Sequence, residues 1–177
     1  MIYLLLILVY IYNFQNVQLI SKDKEIIIKR DKSLNKLPLF KVEIGKVILG
    51  EEKMNRKIII DKKNVLSTSH LIQLIEAEFS MYNNATLCNN LYKISKRTKD
   101  PKEFGYALFA VNNSNINIYG GEISNNVNEV YIPKDINESI LPEIMETHYY
   151  YDSRGVGIFM NSTTLNIMME KYVIMKE

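Results

Sequence analysis

The chain has 177 residues, enough for one domain with a sizeable core, and 47% of them are hydrophobic against 24% charged, the ordinary globular range. Its 22 Lys/Arg nearly balance 20 Asp/Glu, and it carries a single cysteine and two histidines. With Cys88 alone, no intramolecular disulfide and no Cys-based metal site can form; His70 and His148 lie far apart in sequence and read as surface or packing residues, so no metal or other cofactor is expected.

Met1–Tyr12 (MIYLLLILVYIY) is an unbroken run of apolar and aromatic residues, followed by polar NFQNVQ and then, from Lys22, by charge. The run falls short of the roughly 20 apolar residues of a spanning helix and has the length of the apolar region of a secretory signal. No Lys or Arg precedes it, and no small-x-small cleavage site follows it. Residues 1–20 are expected to be a signal peptide or signal anchor, with a buried first strand as the third reading. Cleavage would fall between Asn16 and Lys22. The implied location is secreted or cell surface, with membrane contact only through this segment if it is uncleaved.

Residues 21–70 are expected to supply the N-terminal strands and first coil or coils. FKVEIGKVILG (Phe40–Gly50) and IIIDKKNVL (Ile58–Leu66) are rich in β-branched residues and read as short strands. From Lys22 to Lys63 the chain holds 13 Lys/Arg against 7 Asp/Glu, while the remainder is acidic. Basic residues interleaved with acids read as a solvated surface. There is no Arg-rich stripe, so nucleic acid is not an expected partner.

From Leu71 the sequence repeats. Apolar runs LIQLI (Leu71–Ile75), ALFAV (Ala107–Val111) and VGIFM (Val156–Met160) each precede an alternating stretch: FSMYNNATLCNN from Phe79, INIYGGEISNN from Ile116 and LNIMMEKYVIMKE from Leu165. Phe79 falls on Ile116, Met81 on Ile118, Tyr82 on Tyr119, Asn83-Asn84 on Gly120-Gly121, and Asn89-Asn90 on Asn125-Asn126 with one inserted residue between. The third copy keeps Leu165 and Ile167 in the apolar slots and shows Met169-Glu170 in place of the turn. Alternation of period two makes helix a poor alternative for these segments; only Leu71–Phe79 could pass as a short helix, and it aligns with strands elsewhere. The unit is apolar run, polar break, alternating strand, tight turn and third strand, so 71–177 reads as solenoid repeats with long insertions at 91–104 and 127–154. Sharp corners between short strands call for φ > 0, open to Gly at no steric cost and to Asn at a small one. Asn83, Asn84, Gly120 and Gly121 are thus expected at a corner. Asn89, Asn90, Asn125 and Asn126 are expected to turn inward and hydrogen-bond along the stack as an amide ladder.

Strand triplets with a Gly-Gly turn and a terminal Asn pair, as in ALFAVNNSNINIYGGEISNN, resemble right-handed parallel β-helix proteins of the pectate-lyase-like superfamily. Within it they look most like the surface repeats related to chlamydial polymorphic outer-membrane proteins. The resemblance covers about residues 71 to 175. It departs from that family's F-x-x-N element, since Phe79-Ser80-Met81-Tyr82 lacks the final Asn. The fold it implies is all-β, a right-handed parallel β-helix of few coils. The chain stops at Glu177 directly after the strand-like YVIM, with no polar cap following it, which reads as a truncated sequence or a piece of a longer array.

The resemblance also admits enzymes that cleave acidic polysaccharides. Glycoside hydrolysis needs two flanking carboxyl groups and lyase chemistry a positioned base. The outward column of the second strands reads Glu78, Ser80, Tyr82, then Asn115, Asn117, Tyr119, then Thr164, Asn166, Met168, which is polar and almost uncharged. The apolar first-strand runs predict an outer face covered by an insertion or a partner. The remaining candidate surface is Glu143, Glu146, His148, Asp152 and Arg154 in the second insertion, beside Tyr149–Tyr151. Its alternative reading is a loop folding its aromatics over that apolar face. Glycosylation sequons stand at Asn84, Asn112, Asn137 and Asn161. The expected function is structural, adhesive or binding, with no catalytic residue assigned and a carbohydrate or another protein surface as partner. The alternative is a polysaccharide lyase or glycosidase of the same fold.

Overall fold

A computed structural model describes residues 2–5, 9–12, 15–29, 36–53, 55–61, 69–94, 105–130 and 157–168. Every regular element among them is a strand of three or four residues. Five coils follow one another along the chain. The first is β1 (Ile2–Leu5), β2 (Val9–Tyr12) and β3 (Asn16–Leu19); the second is β4 (Ile26–Lys29), β5 (Phe40–Glu43) and β6 (Lys46–Leu49); the third is β7 (Ile58–Asp61), β8 (Ile72–Ile75) and β9 (Glu78–Met81). The fourth is β10 (Ala85–Cys88), β11 (Leu91–Ile94), β12 (Leu108–Val111) and β13 (Asn115–Ile118); the fifth is β14 (Glu122–Ser124), β15 (Val127–Val130), β16 (Ile158–Asn161) and β17 (Thr164–Ile167).

Equivalent strands stack in parallel. The first face runs β1-β4-β7-β10-β14, the second β2-β5-β8-β12-β16 and the third β3-β6-β9-β13-β17, while β11 and β15 add a short fourth face. The chain is a parallel β-helix of few coils. The repeat alignment recurs in the register: Ile116 pairs with Phe79 and with Leu165, and Ile118 with Met81 and with Ile167. The three apolar runs likewise stack, Ile72 on Leu108 and Leu108 on Ile158. Both segments read as insertions open on a strand, since Leu91–Ile94 pairs with Val127–Val130. Each of these strands follows an Asn pair after a hydrophilic corner, and neither shows the alternation that marks the other faces.

The N-terminal segment also enters the stack. Ile2–Leu5 pairs with Ile26–Lys29, and Val9–Tyr12 with Phe40–Glu43. The strand reading of this segment thus has a structural counterpart. No helix among the described residues is long and apolar enough to cross a membrane.

Alternation within each strand sends every second side chain inward, and the parallel register then piles like on like. On the second face Phe40, Ile72 and Leu108 form one inward column and Val42, Leu74 and Ala110 its neighbour. On the third face Val47, Phe79 and Ile116 stack beside Leu49, Met81 and Ile118, and on the first face Ile58 and Ala85 stack beside Ile28, Ile60, Leu87 and Ile123. Each of the larger side chains contributes about 1.5–3 kcal/mol by leaving water.

Corners hold the strain. Between the second and third faces the turning residues have φ near +50° to +58°: Ile44, Glu76, Asn112, Asn113 and Ser162. Ile75 pairs with Val111 and Glu78 with Asn115, so two corner residues in coil three are matched by three in coil four. The extra residue is taken up by two successive left-handed residues and by buried Ser114, whose hydroxyl donates to Val111 O (2.6 Å) and accepts the Ala77 N–H (3.2 Å). Ile44 is a β-branched residue at φ +50°, where such residues are rare. It is held there by an N–H···O bond to Ile75 of the next coil (3.1 Å) although its side chain is exposed. Replacing Ile44 with Asn should therefore stabilise the fold, by about 1 kcal/mol, read as a higher urea midpoint with an unchanged slope.

Candidate functional site

The corner between the third and first faces is where the Gly-Gly and Asn-Asn pairs lie. Asn84 has φ +66° and Gly121 φ +103°, so one residue of each pair makes the left-handed turn. The other two do a different job. A Cβ on Gly120 would run into the Asn83 side-chain amide, whereas a Cβ on Gly121 would meet the Ala85 carbonyl oxygen at 2.6 Å. Gly120 leaves room for a side-chain tip that can swing away, and Gly121 meets fixed backbone while turning left-handed.

The closing Asn pairs divide the same way. Asn89 and Asn125 turn the chain, with φ +58° and +52°. Asn90 and Asn126 are buried, and side-chain-to-backbone bonds hold them. Asn126 Oδ1 accepts the Asn90 N–H (3.1 Å), Asn126 Nδ2 donates to Leu87 O (3.3 Å), and Asn90 Nδ2 donates to Tyr106 O (3.0 Å). Amide-to-amide bonds occur on the outer side of the third face, where Asn166 Nδ2 donates to Asn117 Oδ1 (2.9 Å) and Asn115 Oδ1 (3.2 Å). Asn117 Nδ2 continues to Glu78 Oε1 (3.3 Å), which Lys46 Nζ also meets at 2.6 Å. Ser80 and Asn117 are buried although they belong to the outward column.

Cys88 lies on the outer side of the first face between Asp61 and Ser124 of the neighbouring coils. Burial, reinforced by the charges of Asp61 and Glu122, pushes its thiol up to about 12. Asn89 Nδ2 caps Asp61 at 2.9 Å. A thiol so held is a packing group, since the thiolate is the reactive form.

His70 also packs. Its ring stacks on Phe109 with centroids 4.3 Å apart and planes 6° from parallel, and Nδ1 accepts the Tyr106 N–H (3.2 Å), which leaves the proton on Nε2. Phe159 stacks on Phe109 at 4.9 Å and meets Tyr106 at 5.1 Å. The apolar outer surface read from the first-strand runs is thus enclosed at Phe109 by aromatic neighbours. No group of three or more His, Cys, Asp or Glu side chains able to hold a metal occurs among the described residues.

A concavity lies beside the same Gly/Asn corner. Tyr82 and Tyr119 stack coil on coil, with centroids 4.5 Å apart and planes 13° from parallel. That separation follows from the spacing of parallel strands, and the pair adds about 0.5–1.5 kcal/mol beyond its burial. Gly50 holds the equivalent position one coil earlier, shown by the Tyr82 N–H bond to Leu49 O (3.0 Å), and Met168 holds it one coil later, bonded to Ile118 O (2.9 Å). The column therefore has no side chain on the Gly50 side of Tyr82. A groove of about 860 Å³ lies along the column, lined by Glu52, Lys53 and Lys57 from the connection between β6 and β7 together with Asn83, Asn84, Thr86 and Glu122.

Of the residues singled out in the sequence, the structure brings Asn83, Asn84 and Gly121 to this groove, while Asn89, Asn90, Asn125 and Asn126 serve the next corner. Asn84 and Asn112 are exposed corner residues, and Asn161 is exposed at the end of β16. Glu143, Glu146, His148, Tyr149, Tyr150, Tyr151, Asp152, Arg154, Asn137, Met169 and Glu170 lie outside the described residues. Sequence reasoning missed Glu52, Lys53, Lys57 and Glu122 as neighbours. The stacked alignment of Tyr82 on Tyr119 was the one signal pointing to them. No protein-family model, curated protein or solved structure matches the chain.

Two tests address this geometry. Gly121→Ala should destabilise by about 2 kcal/mol or more and Gly120→Ala by clearly less, compared by thermal unfolding. For Cys88, the folded pKa stands above the unfolded one, so its contribution is full below about pH 9 and is lost as pH rises towards 12. The stability of the wild type relative to Cys88→Ala should fall through that window, followed by urea titration at each pH.

Proposed function

We propose that this chain is an exported or surface-associated β-helix protein whose role is binding, with the groove along Tyr82 and Tyr119 as its site and a carbohydrate as ligand. The observation that carries the reading is the open end of the tyrosine column beside Gly50, with a groove along that column whose lining combines carboxylate, ammonium and amide groups. A sugar ring offers an apolar C–H face to an aromatic ring and hydroxyls to such polar walls, and ligand sites commonly combine an apolar floor with a few placed polar groups. Rigid strands fix the groove on one wall, which lowers the ordering cost of binding.

Support for export comes from the apolar run Met1–Tyr12. A chain that keeps this run has five coils, and one that loses it ends on β4, β5 and β6. N-terminal sequencing of exported material separates the two.

One observation favours a carbohydrate-active enzyme as the second reading: Glu52 and Glu122 both line the groove. Two carboxyl groups flanking one glycosidic bond are the minimum for hydrolysis. The decisive experiment is a screen of soluble oligosaccharides, neutral and acidic, by calorimetry and by product analysis. Tyr82→Ala should weaken binding about five- to thirtyfold, in line with the loss of one aromatic contact of about 1–2 kcal/mol, while leaving the folded circular-dichroism spectrum in place. Product formation lost in both Glu52→Gln and Glu122→Gln would replace the binding reading with the enzymatic one. No binding and no turnover across the screen would sink both.

A further inference from the structure

The two ends of the stack differ from its middle. Val47, Phe79 and Ile116 are fully buried, yet Val17 and Leu19 in the first coil and Ile158, Met160 and Leu165 in the fifth are only half-buried. Ile167, an inward-column residue, is 56% exposed, and Met168 beside it 51%. Strands β3 and β17 are the two edges of the third face.

The edges are complementary in hydrogen bonding. On the third face the outward residues bond back to the preceding coil: Thr164 N–H reaches Ser114 O (3.0 Å) and Met168 N–H reaches Ile118 O (2.9 Å). Alternation of a parallel ladder then turns the N–H and C=O groups of Leu165 and Ile167 towards the open side. At the other edge Gln15 O and Leu19 O accept from Lys46 and Gly50 of the second coil (3.0 and 2.8 Å), so Asn16 and Gln18 turn their backbone groups away from the stack. One edge offers groups at its inward residues and the other at its outward residues, which is the relation between any two stacked coils of this protein.

The side chains favour the same register. Setting Val17 over Leu165 and Leu19 over Ile167 continues both inward columns and covers the exposed isoleucine. Gln18 then stands over Asn166, at the end of the amide chain that runs from Asn166 through Asn117 to Glu78. Asn166 Oδ1 receives no hydrogen bond from a described residue, and Gln18 Nε2 uses one of its two hydrogens on Gly50 O (3.1 Å). A slip of one residue would turn the apolar set outward, so no neighbouring register competes.

We propose that the chain associates head to tail with a second copy of itself, β3 of one copy adding to β17 of the next, with β2 meeting β16 and β1 meeting β14. Such a contact is heterologous. Each copy keeps one unused end, so association is open-ended and builds a filament whose repeat is this chain. The grooves along Tyr82 and Tyr119 would then recur at regular intervals down one side.

The test uses the purified full chain in sedimentation velocity and light scattering from low to high micromolar concentration. The wild type should grow in mass with concentration and reach no limiting size. Ile167→Lys blocks one end and Val17→Lys the other, so each variant alone should sediment as a monomer. An equimolar mixture of the two should form a dimer and stop there, because each variant retains one intact end. Should Val17→Lys fail to fold, Asn16→Pro replaces it, removing an outward-facing N–H that the monomer does not use. A wild type that stays monomeric overturns the proposal, as expected if some other segment or protein covers these ends. Single variants that still grow, or a mixture that stays monomeric, overturn it equally.

Discussion

The interaction on which the whole molecule depends is the parallel hydrogen-bond ladder that sets each residue directly over its counterpart one coil away. With a fixed spacing of about 4.8 Å, a residue's most constant neighbour is the residue in the same position of the next coil. Side chains are therefore selected in columns. Inward columns must be apolar and mutually space-filling. Outward columns must tolerate a close copy of themselves, which amides and aromatic rings do and like charges do not. Charged positions obey this: Lys29 stacks on Asp61 and Lys46 on Glu78. Lys46 on Glu78 joins the basic segment Lys22–Lys63 to the acidic remainder, while Lys29 on Asp61 pairs opposite charges of two coils within that segment.

Asparagine follows from the same constraint. A chain that must turn after every four residues needs left-handed corners, and Asn84, Asn89, Asn112, Asn113 and Asn125 all supply one. Inward Asn90 and Asn126 satisfy backbone groups that a corner leaves unpaired, while outward Asn115, Asn117 and Asn166 bond to one another. Two of the sequons arise at corners for reasons internal to the fold. Asn112 turns the chain and the Ser114 hydroxyl caps Val111 O; Thr163 donates to Asn161 O (3.0 Å) and Ala110 O (3.3 Å). Corner chemistry accounts for the serine and threonine there without a glycan.

The inner half of the architecture was legible because it is periodic. Alternation in NINI and EFSM, and the match of Phe79-x-Met81 to Ile116-x-Ile118, place the third face in its observed register. Several features were not legible, each for a physical reason. MIYLLLILVYIY has no alternation, so a strand buried on both sides and an apolar targeting segment read alike. Ile44, Glu76 and Ser162 turn left-handed although nothing in their chemistry favours it, because backbone bonds hold them there: the Ile44 and Glu76 N–H groups donate to the next coil, and Ser162 O accepts the Asn113 N–H of the preceding one. The groove assembles Glu52 and Lys57 with Tyr82, Tyr119 and Glu122 from successive coils, and only the three-dimensional stack brings such distant positions together.

A solenoid has little to hold it besides the contact of each coil with its neighbours, so its stability is close to a sum of nearest-neighbour terms and its terminal coils open first. The groove is lined by the connection after the second coil, by the Tyr82 corner between the third and fourth, by the Tyr119 corner between the fourth and fifth, and by Met168. A ligand seated along that column touches several coils at once. It therefore couples units that the backbone couples only pairwise, and by linkage it stabilises the whole stack by an amount that grows with the logarithm of ligand concentration above Kd. A further coil added at Leu165 and Ile167 acts on the same quantity from the end, by removing the most exposed interface. Site and edge are thus two handles on one cooperative ladder, and whatever occupies either strengthens the register on which the other depends.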